Sequence, residues 1–100
     1  MNFENLYTVS KEAARIEDIS RKAGLTFRQY HALVELCNKD TPHHDLQKEI
    51  GIENNGQFSS GILSPLREKG YITPRRSGEP LSVTDEGRKV IESIGKRLGY

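Results

Sequence analysis

The stretch SSGILSPLREKGYITPRRSGEPLSVT, residues 59–84, decides the fold. Phe58, Ile62, Leu63 and Leu66 recur at helical spacing and predict one buried stripe on a helix over residues 59–69. Ser60, Ser64 and Arg67 fall on the opposite face, with no bulky apolar residue and no acid among them. Such a face suits a groove lined with phosphates. Gly70 stops the helix, and Tyr71-Ile72-Thr73 opens a strand. Arg75-Arg76-Ser77-Gly78-Glu79-Pro80 forms a turn that begins basic, and Leu81-Ser82-Val83 alternates as a half-buried strand does. Pro65 needs a reason, because proline inside a helix clashes with the carbonyl four residues back, here Gly61. A start at Ser59 or Ser60 keeps Pro65 in the first turns, where little is lost. The other reading is a helix interrupted at that point.

Upstream of this stretch, Thr26 caps a helix, and Gln29 three residues on completes a capping box. Phe27, Tyr30, Leu33, Val34 and Cys37 are its expected buried face. Thr41 is read as the cap of a short third helix with Pro42 at its first position, where a missing N–H costs nothing. Leu46 and Ile50 point inward and Gly51 ends it, and Glu53-Asn54-Asn55-Gly56 reads as a loop. Residues 1–22 read as an N-terminal helix with Leu6, Val9, Ala13, Ile16 and Ile19 in one apolar stripe. Downstream, Thr84 caps a last helix over residues 85–100, with Val90, Ile91, Ile94 and Leu98 on its apolar face. The expected fold is mainly α with a small β-hairpin wing, a winged helix-turn-helix of order α-α-α-α-β-β-α.

At 100 residues the chain forms one domain, residues 1–100, able to bury one core. Its core region is residues 25–84. Lys and Arg number 15 against 14 for Asp and Glu, so only the local distribution of charge speaks of a polyanionic partner. The one cysteine excludes an internal disulfide framework and fits a reducing cytoplasm. No apolar run is long enough to span a bilayer, so no membrane partner is expected.

Four segments resemble the MarR-type winged-helix regulators. Leu25-Thr26-Phe27-Arg28-Gln29-Tyr30, with Leu33 and Leu36, resembles the opening of that family's core. Ser60-Gly61-Ile62-Leu63-Ser64-Pro65-Leu66 is similar to the start of the recognition helix in its OhrR and SarA-like branches. Glu68-Lys69-Gly70-Tyr71-Ile72 resembles the exit into the wing, and Val83-Thr84-Asp85-Glu86-Gly87-Arg88 the passage from wing to last helix. The resemblance implies a dimeric fold that binds double-stranded DNA with the helix of residues 60–67 in the major groove. Against the family's pattern, the turn before the recognition helix reads as extended and the helix as about a turn shorter. The wing is compact, and the long closing helices are cut to one.

The function expected is a sequence-specific DNA-binding transcriptional regulator, a repressor acting as a homodimer. The candidate DNA contacts are Gln57, Ser59, Ser60, Ser64, Arg67, Arg75 and Arg76. The candidate dimer surface joins Leu6, Val9, Ala13 and Ile16 to Ile91, Ile94 and Leu98. A winged helix used as a protein-interaction module, in a larger assembly or as an inhibitor of another regulator, is the second class. The near-zero net charge favours it, whereas the polar helix face and Arg75-Arg76 favour DNA. Cys37 lies on an expected inward face and is read as packing, not as a redox switch. His43 and His44 are adjacent, so their side chains diverge, and His31 is the only other histidine; no metal site and no cofactor are expected. No paired nucleophile and base and no phosphate-cradling glycine loop are present, which argues against an enzyme.

Overall fold

The computed structural model describes residues 2–100; Met1, read above as part of the first helix, lies outside them. Its elements are α1 (Phe3–Lys22), α2 (Phe27–Asn38), α3 (His43–Ile50), α4 (Asn55–Phe58), a π-helical turn (Ser59–Leu63), α5 (Ser64–Glu68) and α6 (Asp85–Arg97). No helix among the described residues is long and apolar enough to cross a membrane.

Local chemistry sets most boundaries. Thr26 Oγ1 accepts from the Gln29 N–H at 3.2 Å while Gln29 Oε1 accepts from the Thr26 N–H at 3.0 Å, the reciprocal pair expected of a capping box. Thr84 Oγ1 accepts from the Gly87 N–H and starts α6, with Asp85 and Glu86 in its first turn and Lys96 and Arg97 in its last. Gly70, at φ +75°, ends α5; the Tyr71 N–H reaches back to the Leu66 carbonyl at 2.9 Å, closing the helix in left-handed fashion.

α2 is the hub, packed against α1, α3, α6 and the π-helical turn. The core gathers Leu25, Leu33 and Leu36 around it with Leu46, Phe58, Leu63, Leu66 and Ile94. The buried face of α2 is Gln29, Ala32, Leu33 and Leu36, which shares only Leu33 with the one expected. Phe27 is 38% exposed, and Tyr30, Val34 and Cys37 are half-buried. A polar residue and an alanine occupy the inward stripe, so a hydrophobic count slides onto the neighbouring face.

Three boundaries differ from expectation. Thr41 does not cap α3: it is buried and bridges Leu81 antiparallel, with N–H to carbonyl distances of 3.0 and 2.8 Å, and Pro42 stands at the N-cap. Asn54 is a cap, not loop, its Oδ1 accepting from the Gln57 N–H at 2.9 Å, so the helix expected over residues 59–69 starts at Asn55. α4, the π turn and α5 keep right-handed helical angles through their junctions and form one rod over residues 55–68. The helix is therefore longer than the residues 59–69 expected of it, and Pro65 lies deep inside it.

The hairpin expected over residues 71–83 holds only isolated bridges. Ile72 pairs with Val83, the Thr73 N–H reaches the Ser82 carbonyl at 3.0 Å, and no longer strand forms among the described residues. Pro74 and Pro80 flank the turn, and neither has an N–H to extend a ladder. At the far end, Ile94 and Leu98, expected on a dimer surface, are 1% and 8% exposed and belong to the core. Their stripe is covered by α2, a contact that periodicity does not specify.

Candidate nucleic-acid interface

The rod of residues 55–68 buries Phe58, Ile62, Leu63 and Leu66 and leaves Gln57, Ser59, Ser60 and Ser64 exposed. Its middle is a π turn for a local reason. Pro65 has no N–H, so the Gly61 carbonyl loses its α-helical donor, and the pyrrolidine ring crowds that carbonyl. The rod widens there: the Ser64 N–H bonds the Ser59 carbonyl, five residues back. The orphaned Gly61 carbonyl instead accepts from Nε2 of Gln29 at 2.9 Å. As a result Ser59, not Ser60, stands one turn before Ser64, a change from the face drawn from α-helical spacing. Ser60 Oγ donates to the Gly56 carbonyl at 2.7 Å and keeps its acceptor lone pairs outward.

The rod is anchored at both ends. Near its start, Gln47 Nε2 donates to Asn55 Oδ1 at 2.7 Å, joining α3 to the rod. At its end the Lys69 ammonium donates to the Gly24 carbonyl in the turn between α1 and α2.

Arg67 does not project freely. It is half-buried, and its Nε donates to the Thr73 carbonyl at 3.4 Å, a long bond that ties the rod to the base of the wing. Burial, then the neighbouring Arg75 charge, pushes Arg67 below the usual guanidinium value. It stays charged, as arginine does in proteins. Arg75 and Arg76 are exposed on the wing turn. The three arginines line one cleft with Glu79, yet among the described residues none of them has a carboxylate within ion-pair distance.

Sequence reasoning missed His43. It lines the same cleft from the first position of α3, with its ring edge-on to Phe58 at 5.0 Å between centroids. Burial, then the charges of Arg75, His44 and Arg67, holds its imidazole below the ordinary range. Only the folded chain brings positions 43, 67 and 75 together, so no local signal marks it. Gln29 was seen as a cap but not as the strut of the rod.

No model of a known protein family matches the chain, and no curated protein matches it. Solved structures do. Sco5413, a MarR family transcriptional regulator from Streptomyces coelicolor, superimposes with a TM-score of 0.73 at 21% identity, over 96% of this chain and 70% of that one. MepR, a transcription regulator of the Staphylococcus aureus multidrug efflux pump MepA, gives 0.76 at 17% identity, over 98% and 77%. A MepR variant bound to an oligodeoxyribonucleotide gives 0.72 at 19% identity, over 97% and 76%. The fold is that of the MarR regulators. At these identities the likeness is one of fold. Residues 71–84, expected as the wing, follow the rod.

Proposed function

We propose that the protein is a sequence-specific regulator of transcription that binds double-stranded DNA as a homodimer, acts as a repressor and works in the cytoplasm. The observation that carries this reading is the pairing of an exposed polar rod face with three arginines that lack acidic partners among the described residues. Gln57, Ser59, Ser60 and Ser64 offer hydrogen-bond donors and acceptors to base edges, and Arg75 and Arg76 offer charge to phosphates. Arg67 acts from between them, holding the wing to the rod. The MarR fold, and a regulator of that fold bound to an oligodeoxyribonucleotide, support the same reading.

A second copy is the partner proposed for α1. Phe3, Leu6, Tyr7 and Val9 are 75, 49, 65 and 66% exposed on one helix end, a cluster of large apolar side chains that a second copy would cover. Half-buried Ile91 lies on α6, which packs against α1. A two-fold axis there places two rods about 34 Å apart and calls for a pseudo-palindromic site.

Binding of random duplex at low salt tests the proposal. Wild type should bind, with a steep loss as salt rises. Replacing Arg75 and Arg76 together by alanine should weaken binding to every duplex and flatten the salt slope by about two units, one per phosphate contact. Absence of duplex binding at low salt would favour the protein-interaction reading, which the net charge of +1 supports.

A further inference from the structure

The cleft between the start of α3, the end of α5 and the wing is lined by Arg67, Arg75, Arg76 and His43. It measures about 220 Å³. Arg67 lines it with Nε on the Thr73 carbonyl, and among the described residues its terminal nitrogens have no acidic partner. Arg75 and Arg76 enter from the wing, and His43 from α3. Each element packed here contributes named charges: His44 and Asp45 stand beside His43 on α3, Arg67 faces it from α5, and Arg75, Arg76 and Glu79 face it from the wing. Among the described residues Glu79 is the only acid in the cleft lining, and it pairs with none of the arginines. α3 itself begins at Pro42 without a side-chain cap, so its positive end is left open beside the same cleft.

We propose that this cleft seats one phosphodiester of the duplex backbone, and that His43 joins Arg67 and Arg75 there as a protonated donor. The inference rests on the DNA-binding reading above and adds a contact to it, from α3 and not from the rod or the wing. Its consequence is proton-linked binding. In the free protein burial, and then the surrounding cations, disfavours the imidazolium. A phosphate in the cleft reverses that field and favours it. Binding therefore takes up a proton. Affinity rises as pH falls through the window between the free and the bound pKa of His43, and is flat above it. One unit of difference corresponds to about a tenfold change in affinity.

Fluorescence anisotropy with a random-sequence duplex, from pH 5.5 to 8 at low fixed salt, tests the inference. Wild type should bind about tenfold more tightly at the acid end. His43→Gln should bind as wild type does at pH 8 and lose the dependence. His43→Lys should stay tight across the range, and His44→Gln should keep the wild-type profile. An NMR titration of the His43 imidazole should show its pKa rising when the duplex is added. A wild-type profile retained in His43→Gln overturns this inference and leaves the DNA-binding reading standing. No duplex binding at any pH overturns both. If inorganic phosphate alone raises the imidazole pKa and the duplex does not, the cleft is a small-anion site and the inference falls.

Discussion

Nε2 of Gln29 donates to the carbonyl of Gly61 at 2.9 Å, joining the cap of α2 to the middle of the rod. Gln29 is 7% exposed and uses both ends of its amide, one on Thr26 and one on Gly61. The bond answers a deficit that Pro65 creates in the rod's own ladder. One buried side chain thus sets the shape of the surface proposed to meet DNA.

Gln29→Leu keeps the volume and strands two backbone groups, the Thr26 N–H and the Gly61 carbonyl. It should cost about 1–3 kcal/mol in urea unfolding. Pro65→Ala returns an N–H to position 65, which can serve the Gly61 carbonyl. The double mutant should therefore lose less than the sum of the single effects, by about 0.5 kcal/mol or more. Strict additivity would show that the two residues do not share that carbonyl.

Gly87 and Gly95 are both in α6 and should respond oppositely to alanine. A Cβ at Gly87 would stand 2.3 Å from the Tyr71 carbonyl oxygen and 2.7 Å from Val83 Cγ2. Backbone cannot yield there without parting the wing from α6, so Gly87→Ala should cost about 3 kcal/mol. A Cβ at Gly95 meets nothing within 4 Å, and Gly95→Ala should stabilise by about 0.5–1 kcal/mol. Thermal melts of the two variants give the comparison directly.

Acidic substitutions separate the core from the proposed dimer surface. Leu6→Glu should leave the far-ultraviolet circular dichroism spectrum of a folded chain while shifting sedimentation toward the monomer. Ile94→Glu buries a charge beside Leu33 and Leu36 and should unfold the domain. A Leu6→Glu protein that sediments as wild type does would remove α1 from the interface.

Burial pushes the Cys37 thiol above its usual value; Arg88 nearby acts against this and Glu92 with it. Less thiolate is present at any pH than for an exposed cysteine, so alkylation near neutrality should be slow and should accelerate only as pH rises well past the ordinary thiol range. Reaction at the rate of a free thiol at pH 7 would contradict the packing. Cys37→Ser should leave duplex binding unchanged.

What the sequence discloses here follows the range of each interaction. Thr26 with Gln29, Thr84 with Gly87, and Gly70 after α5 act within a few residues, and their roles were readable. Asn54 acts as locally but sits in a run of turn-forming residues, which masks its role as a cap. Thr41 has the chemistry of a cap yet serves a bridge to Leu81, forty positions away in the chain. Whether the stripe of Ile94 and Leu98 faces α2 or a second copy is a question about a distant element, and periodicity is silent on it. The same holds for the candidate interface. The polar residues of the rod could be named from spacing, whereas the tie from Arg67 to Thr73 and the approach of His43 exist only after folding.

The place of α2 at the hub has a consequence for synthesis. Leu33 and Leu36 leave the ribosome roughly sixty residues ahead of Ile94 and Leu98, which share their core cluster. At about 5–20 residues per second, that is a delay of several seconds. During it the growing chain carries an uncovered leucine patch that no earlier element can fully close. Nascent-chain chaperones should engage it most strongly in that interval and release it once α6 emerges.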